Sequence, residues 1–191
     1  MVDSHVLKVI SRRRSIREYS EKEIPAEYLN TILESARLAP SATNSQDWFF
    51  YVVKNKEARD KIAASEPFLA NQFLRKAPVI VVGCVRNSGL VGAATGVVKK
   101  AVGVRNGNWG DVDVSIALEH MVLTATDLGI GSCWVGLFDE KRISRLLDMP
   151  DDHRVVALLA LGYPAALSSD EAIGGVRNSL RAKVEEISKI I

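Results

Sequence analysis

The chain has 191 residues, 47% hydrophobic and 25% charged, proportions that suit one globular domain with its own core and exclude a disordered or fibrous protein. Its 25 Lys and Arg against 23 Asp and Glu leave a formal net charge of +2, too small to imply a nucleic-acid partner by itself. Cys84 and Cys133 stand far apart with no CxxC spacing, which argues against a disulfide scaffold or a zinc site and fits a reducing cytoplasm.

The N-terminal MVDSHVLKVISRRR lacks the basic, apolar, small order of a secretory signal. No apolar run reaches the ~18 residues of a membrane span. The expectation is a soluble cytoplasmic protein without a membrane partner. Val6, Val9 and Ile10 at helical spacing, after Asp3 and Ser4 as capping residues, predict a first helix that runs into SRRRSIREYS. Pro25 suits the first turn of a second helix, with Leu29, Ile32, Leu33 and Ala36 on its apolar face and Pro40 as its stop. WFFYVV (48–53) reads as a strand, NKEARDKI as the start of a short helix, and APVIVVGCV (77–85) as a buried strand rich in β-branched residues.

Residues 86–112 are punctuated by Gly89, Gly92, Gly96, Gly103, Gly107 and Gly110, which predicts a mobile or variable insertion. Val114, Ala117, Leu118, Met121, Val122, Ala125 and Leu128 then give a helix with a broad apolar face, stopped by Gly129. So little polar surface places that helix centrally or against another subunit. SCWVGLF is a short strand or loop, Asp139 caps EKRISRLL, and RVVALLALGYP (154–164) is a second buried strand. The tail is polar until Val184, Ile187 and Ile190. With no internal repeat and no domain boundary, residues 1–191 read as a single domain of α+β or α/β sandwich type.

Two stretches carry chemistry. Arg12, Arg13, Arg14 and Arg17 surround Ser15; the plain reading is that they complement a helix dipole. The sharper reading is a phosphate site, because guanidinium forks match phosphate oxygens in pairs and a serine adds a donor. SATNSQ is on its plain reading a polar turn. Its Asn44 and Gln46 also offer donors and acceptors suited to the edge of a neutral heterocycle such as a flavin, with Ser41 and Thr43 adding donors. Together they suggest a mononucleotide cofactor. GxGxxG after a strand, GxxxxGK[ST], HExxH and GxSxG are all missing from the sequence, and His5, His120 and His153 are too scattered to suggest a metal.

RRRSIREYS followed by IPAEYLNTILESARLAPSATNSQDWFFYVV resembles the N-terminal signature of the nitroreductase-like flavoproteins, and DVSIALEHMVLTATDLGIGSCWVGLFDEKRISRLLDMPDDHRVVALLALGYP resembles their C-terminal half. The resemblance implies an α+β three-layer sandwich with a mainly antiparallel sheet flanked by helices. It also implies an intertwined homodimer holding FMN at its interface, with the 114–128 helix central to the dimer. Carried over by position, Arg13, Arg14, Ser15 and Arg17 match the first FMN segment, Arg17 lying near the pyrimidine end where it favours reduced flavin. Pro40, Ser41, Ala42, Thr43, Asn44 and Gln46 match the second segment, supplied by the other chain. Asn71 matches a ring contact, Cys133, Trp134, Val135 and Gly136 match the segment beside the flavin, and Arg177 matches a C-terminal phosphate arginine, with Arg181 the alternative. Asp47 stands where the family commonly has proline.

The implied activity is hydride transfer from NADH or NADPH through FMN to a nitroaromatic, quinone or flavin acceptor by a ping-pong route. No acid–base constellation is needed, because the cofactor carries the reaction. The alternatives are other flavin chemistry on the same fold, such as dehalogenation, flavin fragmentation or azoline oxidation, and a flavin-binding protein without turnover. A nucleic-acid partner and a bound metal are not expected.

Overall fold

The computed structural model describes residues 2–65, 69–86, 109–165, 181–189 and 191. Ser4 accepts from the Leu7 N–H and caps α1 (His5–Arg12). Pro25 is the N-cap of α2 (Ala26–Arg37), one position earlier than the sequence suggests. That helix ends before Pro40 is reached, because Leu38 already closes it through Glu34 and Ala36. A short 3-10 turn (Ala42–Asn44) leads to β1 (Trp48–Val53), followed by α3 (Lys56–Ser65) and a 3-10 stretch (Leu69–Lys76) that the sequence reading missed. β2 (Val79–Arg86) starts later than Ala77, since Pro78 has no N–H for the ladder.

The expectation of an insertion across 86–112 needs correcting at both ends. Arg86 closes β2, and Trp109–Val112 already belong to α4 (Trp109–Asp127), which therefore begins before Val114. Residues 87–108 lie outside the described residues. Gly129, at φ +74, takes the left-handed turn that ends α4. β3 (Gly131–Val135), α5 (Glu140–Leu146, capped by Asp139), β4 (His153–Gly162) and the short α6 (Val184–Ile187) complete the order.

The four strands form one antiparallel sheet in the order β1-β2-β4-β3. Alternation sends Val79, Val81 and Val85 of β2 to one face and Ile80, Val82 and Cys84 to the other. The first face packs on α2 and α4 through Ile32, Leu118 and Met121, and the second on α3 and α5 through Ile62 and Ile143. The result is helices, sheet, helices: the three-layer α+β sandwich. A bulge opposite Gly83 and Cys84 puts both Val156 and Ala157 on the α2/α4 side.

β3 is an edge strand, and an unpaired edge must be covered. The chain after α1 covers it: Ile16 N–H donates to the Ser132 carbonyl at 2.8 Å, and Ser15 bridges Ser132 in parallel register. The covering strand continues to Tyr19, paired with Pro164. The arginine segment is thereby fixed along β3.

Candidate functional site

The sequence places Arg13, Ser15 and Arg17 on alternate positions of that covering segment, and all three act on Cys133 in the neighbouring strand. Burial pushes the Cys133 thiol up, with Arg17, the Ser15 hydroxyl and Arg13 pulling the other way. The net direction is upward, so this sulfur stays a neutral thiol rather than a nucleophilic thiolate. Tyr19 shows the same dominance of burial, its hydroxyl raised well above the ordinary range while donating to the Ile16 carbonyl at 2.6 Å.

The arginines are held differently. Arg13, with a quarter of its side chain exposed, points its Nε toward Glu119 of α4 at 4.0 Å. Glu119 also accepts from Trp134 Nε1 at 3.2 Å, so one carboxylate ties the arginine segment to β3. Arg14 turns its Nη1 back to the carbonyls of Ser11 and Arg13, satisfying acceptors at the end of α1. Arg12 reaches Asp127 at the far end of α4, at 3.4 Å. Arg17 lies over the Phe73 ring at 5.7 Å, a cation–π contact.

Asn71 is buried, and its Nδ2 donates to the Leu137 carbonyl at 2.7 Å, which holds the chain as it leaves β3. Val135 is buried beneath that exit, whereas a Cβ placed on Gly136 would meet nothing within 4 Å. Thus Ser15, Arg17, Cys133, Trp134, Val135 and Gly136 lie along β3 and its exit, with Arg13 joined to them through Glu119 and Asn71 through the Leu137 carbonyl.

Beside them lies a cavity of about 790 Å³, lined on one side by Arg13, Arg14, Ser15 and Arg181 and on the other by Leu7 and Ile10. Its acidic lining residue, Asp3, is already paired with Lys8 at 2.6 Å. Three guanidinium groups beside a hydroxyl make a lining that suits an anion. Arg181, the alternative to Arg177, lines this cavity, and Arg177 lies outside the described residues. A second cleft of about 620 Å³ between Glu18 and Arg75 mixes both signs, and Lys76 pairs with Glu18 at 2.7 Å across it.

The other predicted segment sits elsewhere. Pro40, Ser41, Ala42, Thr43, Asn44 and Gln46 form the loop over the first turns of α4, where the Ala42 N–H donates to both oxygens of Asp113 at 3.1 Å. Thr43 (φ 56), Asn44 (φ 57) and Gln46 (φ 51) are all left-handed. Ser41 Oγ accepts from the Gln46 N–H at 3.0 Å, and Gln46 Nε2 donates to the Asn44 carbonyl at 3.2 Å. Thr43, Asn44 and Gln46 are exposed. From Asp113 at this loop to Asp127 beside Arg12 is 14 residues of α4, about 21 Å along its axis.

Sequence reasoning missed Asp113 and Glu119. Asp113 had a visible signal: it is a carboxylate that falls on the buried face of an otherwise apolar helix. Glu119 had none, because its partners Arg13 and Trp134 meet only through tertiary packing.

The model of the nitroreductase family matches residues 10–163. The chain belongs to the nitroreductase family. It is 35% identical over 84% of its length to a provisionally named NADH dehydrogenase/NAD(P)H nitroreductase of Methanothermobacter thermautotrophicus, of which it covers 78%. A protein of the same name from Archaeoglobus fulgidus is 37% identical, over 83% of this chain and 84% of its own. Among solved structures, an FMN-dependent nitroreductase of Clostridium difficile superposes with a TM-score of 0.71 at 27% identity, covering 85% of this chain and 90% of that one. The family match spans the arginine segment, the 40–46 loop and all four strands, but not Arg181.

Proposed function

We propose that this nitroreductase-family chain is an NAD(P)H-dependent oxidoreductase that binds FMN between the two subunits of a homodimer. The observation that carries the reading is the convergence of Arg13, Ser15 and Arg17 on the Cys133–Gly136 segment, beside the cavity lined by Arg13, Arg14, Ser15 and Arg181. The residues fit the cofactor: a lining of arginines for its phosphate, open space over Gly136 for a flat ring, and a neutral thiol in place of a competing anion. The relatives named for NAD(P)H and FMN chemistry support the same assignment.

When bound, FMN would supply the redox chemistry that carries a hydride from NADH or NADPH to a nitroaromatic, quinone or flavin acceptor in a ping-pong cycle. The chain's own residues bind and orient. Arg13 and Arg14 would hold the phosphate end, with Arg181 beside them in the same cavity. Arg17, set by its Phe73 contact, would put a positive charge near the pyrimidine end of the flavin. Asn71 acts through the Leu137 carbonyl by fixing the backbone beyond Gly136.

Helix geometry favours a shared site. The arginine segment meets α4 from Glu119 to Asp127, whereas the carboxamide loop meets it at Asp113. A two-fold axis that runs α4 antiparallel to its copy brings one chain's loop to the other chain's arginines. Val6, Leu7 and Ile10 give α1 an exposed apolar face for such a partner. Steady-state oxidation of NADH or NADPH with a quinone tests the activity. Parallel double-reciprocal lines are expected; absence of turnover with FMN bound refutes the enzymatic reading.

A further inference from the structure

Three non-glycine residues with positive φ within four positions, Thr43, Asn44 and Gln46, are a costly arrangement for a loop, and for β-branched Thr43 the cost is greatest. Such backbone persists only where its surroundings over-determine it. Here the constraint comes from α4. Asp113 is 4% exposed, and its two oxygens each lie 3.1 Å from the Ala42 N–H. Its Oδ2 also accepts from Ser45 Oγ at 3.5 Å. Ala42 and Ser45 bracket Thr43 and Asn44, so one buried carboxylate grips both ends of the left-handed turn. A carboxylate removed from water must be repaid by such donors, and the loop supplies them.

We infer that Asp113 is a positioning residue for cofactor binding: it holds the 41–46 backbone in the left-handed shape that presents Asn44 and Gln46 outward, and it touches no ligand itself. The inference rests on the proposed FMN site for its consequence, but not for its geometry. The loop serves the ring and ribityl end, so loosening it weakens FMN and riboflavin alike. The arginine segment serves the phosphate and discriminates between them.

The test uses full-length Asp113→Ala and Asp113→Asn apoprotein, titrated with FMN and with riboflavin by flavin fluorescence. Amide hydrogen exchange over residues 41–46 is followed without ligand. Asp113→Ala should raise both dissociation constants by the same factor, about ten- to hundredfold, and speed exchange across the loop. Asp113→Asn keeps one acceptor oxygen in the same shape and should fall between wild type and Asp113→Ala in both readouts. Unchanged exchange over 41–46, or a loss confined to FMN, overturns the inference. If Asp113→Ala does not fold, the Asn variant decides by the same readouts. If wild-type protein binds neither flavin, the proposed function has failed, and loop exchange alone still reports whether Asp113 holds the turn.

Discussion

Replacing Arg13 with alanine separates the phosphate role from general flavin binding. Arg13 is partly shielded, and its guanidinium faces Glu119 at 4.0 Å while lining the cavity. A hydrogen bond to a charged group contributes about 1.5–3 kcal/mol. The loss should sit in the upper part of that range. Glu119 stays in place on Trp134 Nε1 at 3.2 Å, so the variant leaves a negative charge near the phosphate end without its cation. About 2–3 kcal/mol corresponds to a dissociation constant for FMN about 30- to 150-fold weaker. Riboflavin, which lacks the phosphate, should change by no more than about twofold. Fluorescence titration of the apoprotein with each flavin measures both. Equal losses for the two flavins, or an FMN loss below about threefold, would refute the assignment of Arg13 to the phosphate.

Gly131→Ala places a Cβ 2.8 Å from Ile16 Cγ1, and the covering segment must shift to relieve it. Overpacking of this kind costs about 1–3 kcal/mol, read as a lower denaturation midpoint with weakened FMN binding, and pairing it with Ile16→Ala should restore part of both. Burial holds the Cys84 thiol up at about 12 against 9.0 for the free group. A raised folded-state value means stability is full below pH 9 and falls as pH rises toward 12, by up to about 1.4 kcal/mol per unit. Urea unfolding at pH 8 and pH 10 should show the smaller decline in Cys84→Val. Mixed dimers of Arg13→Ala and Asn44→Ala chains should recover one high-affinity FMN site, because a shared site leaves one copy with both native residues. No recovery in verified mixed dimers contradicts the two-chain site.

The legible parts of this fold are those where local pattern and burial agree. WFFYVV is β1 to the residue, because an apolar run of that length next to polar Lys54 has little choice. The strands Val79–Arg86 and His153–Gly162 were visible, with slightly shifted ends, as the apolar runs 77–85 and 154–164, because both faces of those strands are covered by helices. The 3-10 stretch Leu69–Lys76 was passed over although Leu69, Ala70, Phe73 and Leu74 recur at helical spacing; eight residues between two other elements are too short for that pattern to stand out. The start of α4 at Trp109 was masked by Gly110, whose lack of a side chain instead lets the helix approach Val85, 2.8 Å from where a Cβ would stand.

In the candidate site, Arg12, Arg13, Arg14 and Arg17 around Ser15 stood out in the sequence as guanidinium groups beside a hydroxyl, a set that suits an anion. The conformation of the 41–46 loop was not. Thr43 and Gln46 do not favour positive φ; Thr43 is bracketed by the contacts of Asp113, 71 positions from Ala42 in sequence, and the Gln46 N–H is held by Ser41 Oγ. Glu119 gave no local sign of joining Arg13 to Trp134 for the same reason.

Bound FMN should accept electrons from a nicotinamide nucleotide. An anaerobic absorption spectrum of the FMN-loaded protein, taken before and after NADH and then NADPH, tests it most directly. The flavin bands should bleach with at least one nucleotide and return when a quinone is added. Bound flavin that keeps its full oxidised spectrum with both nucleotides would contradict it.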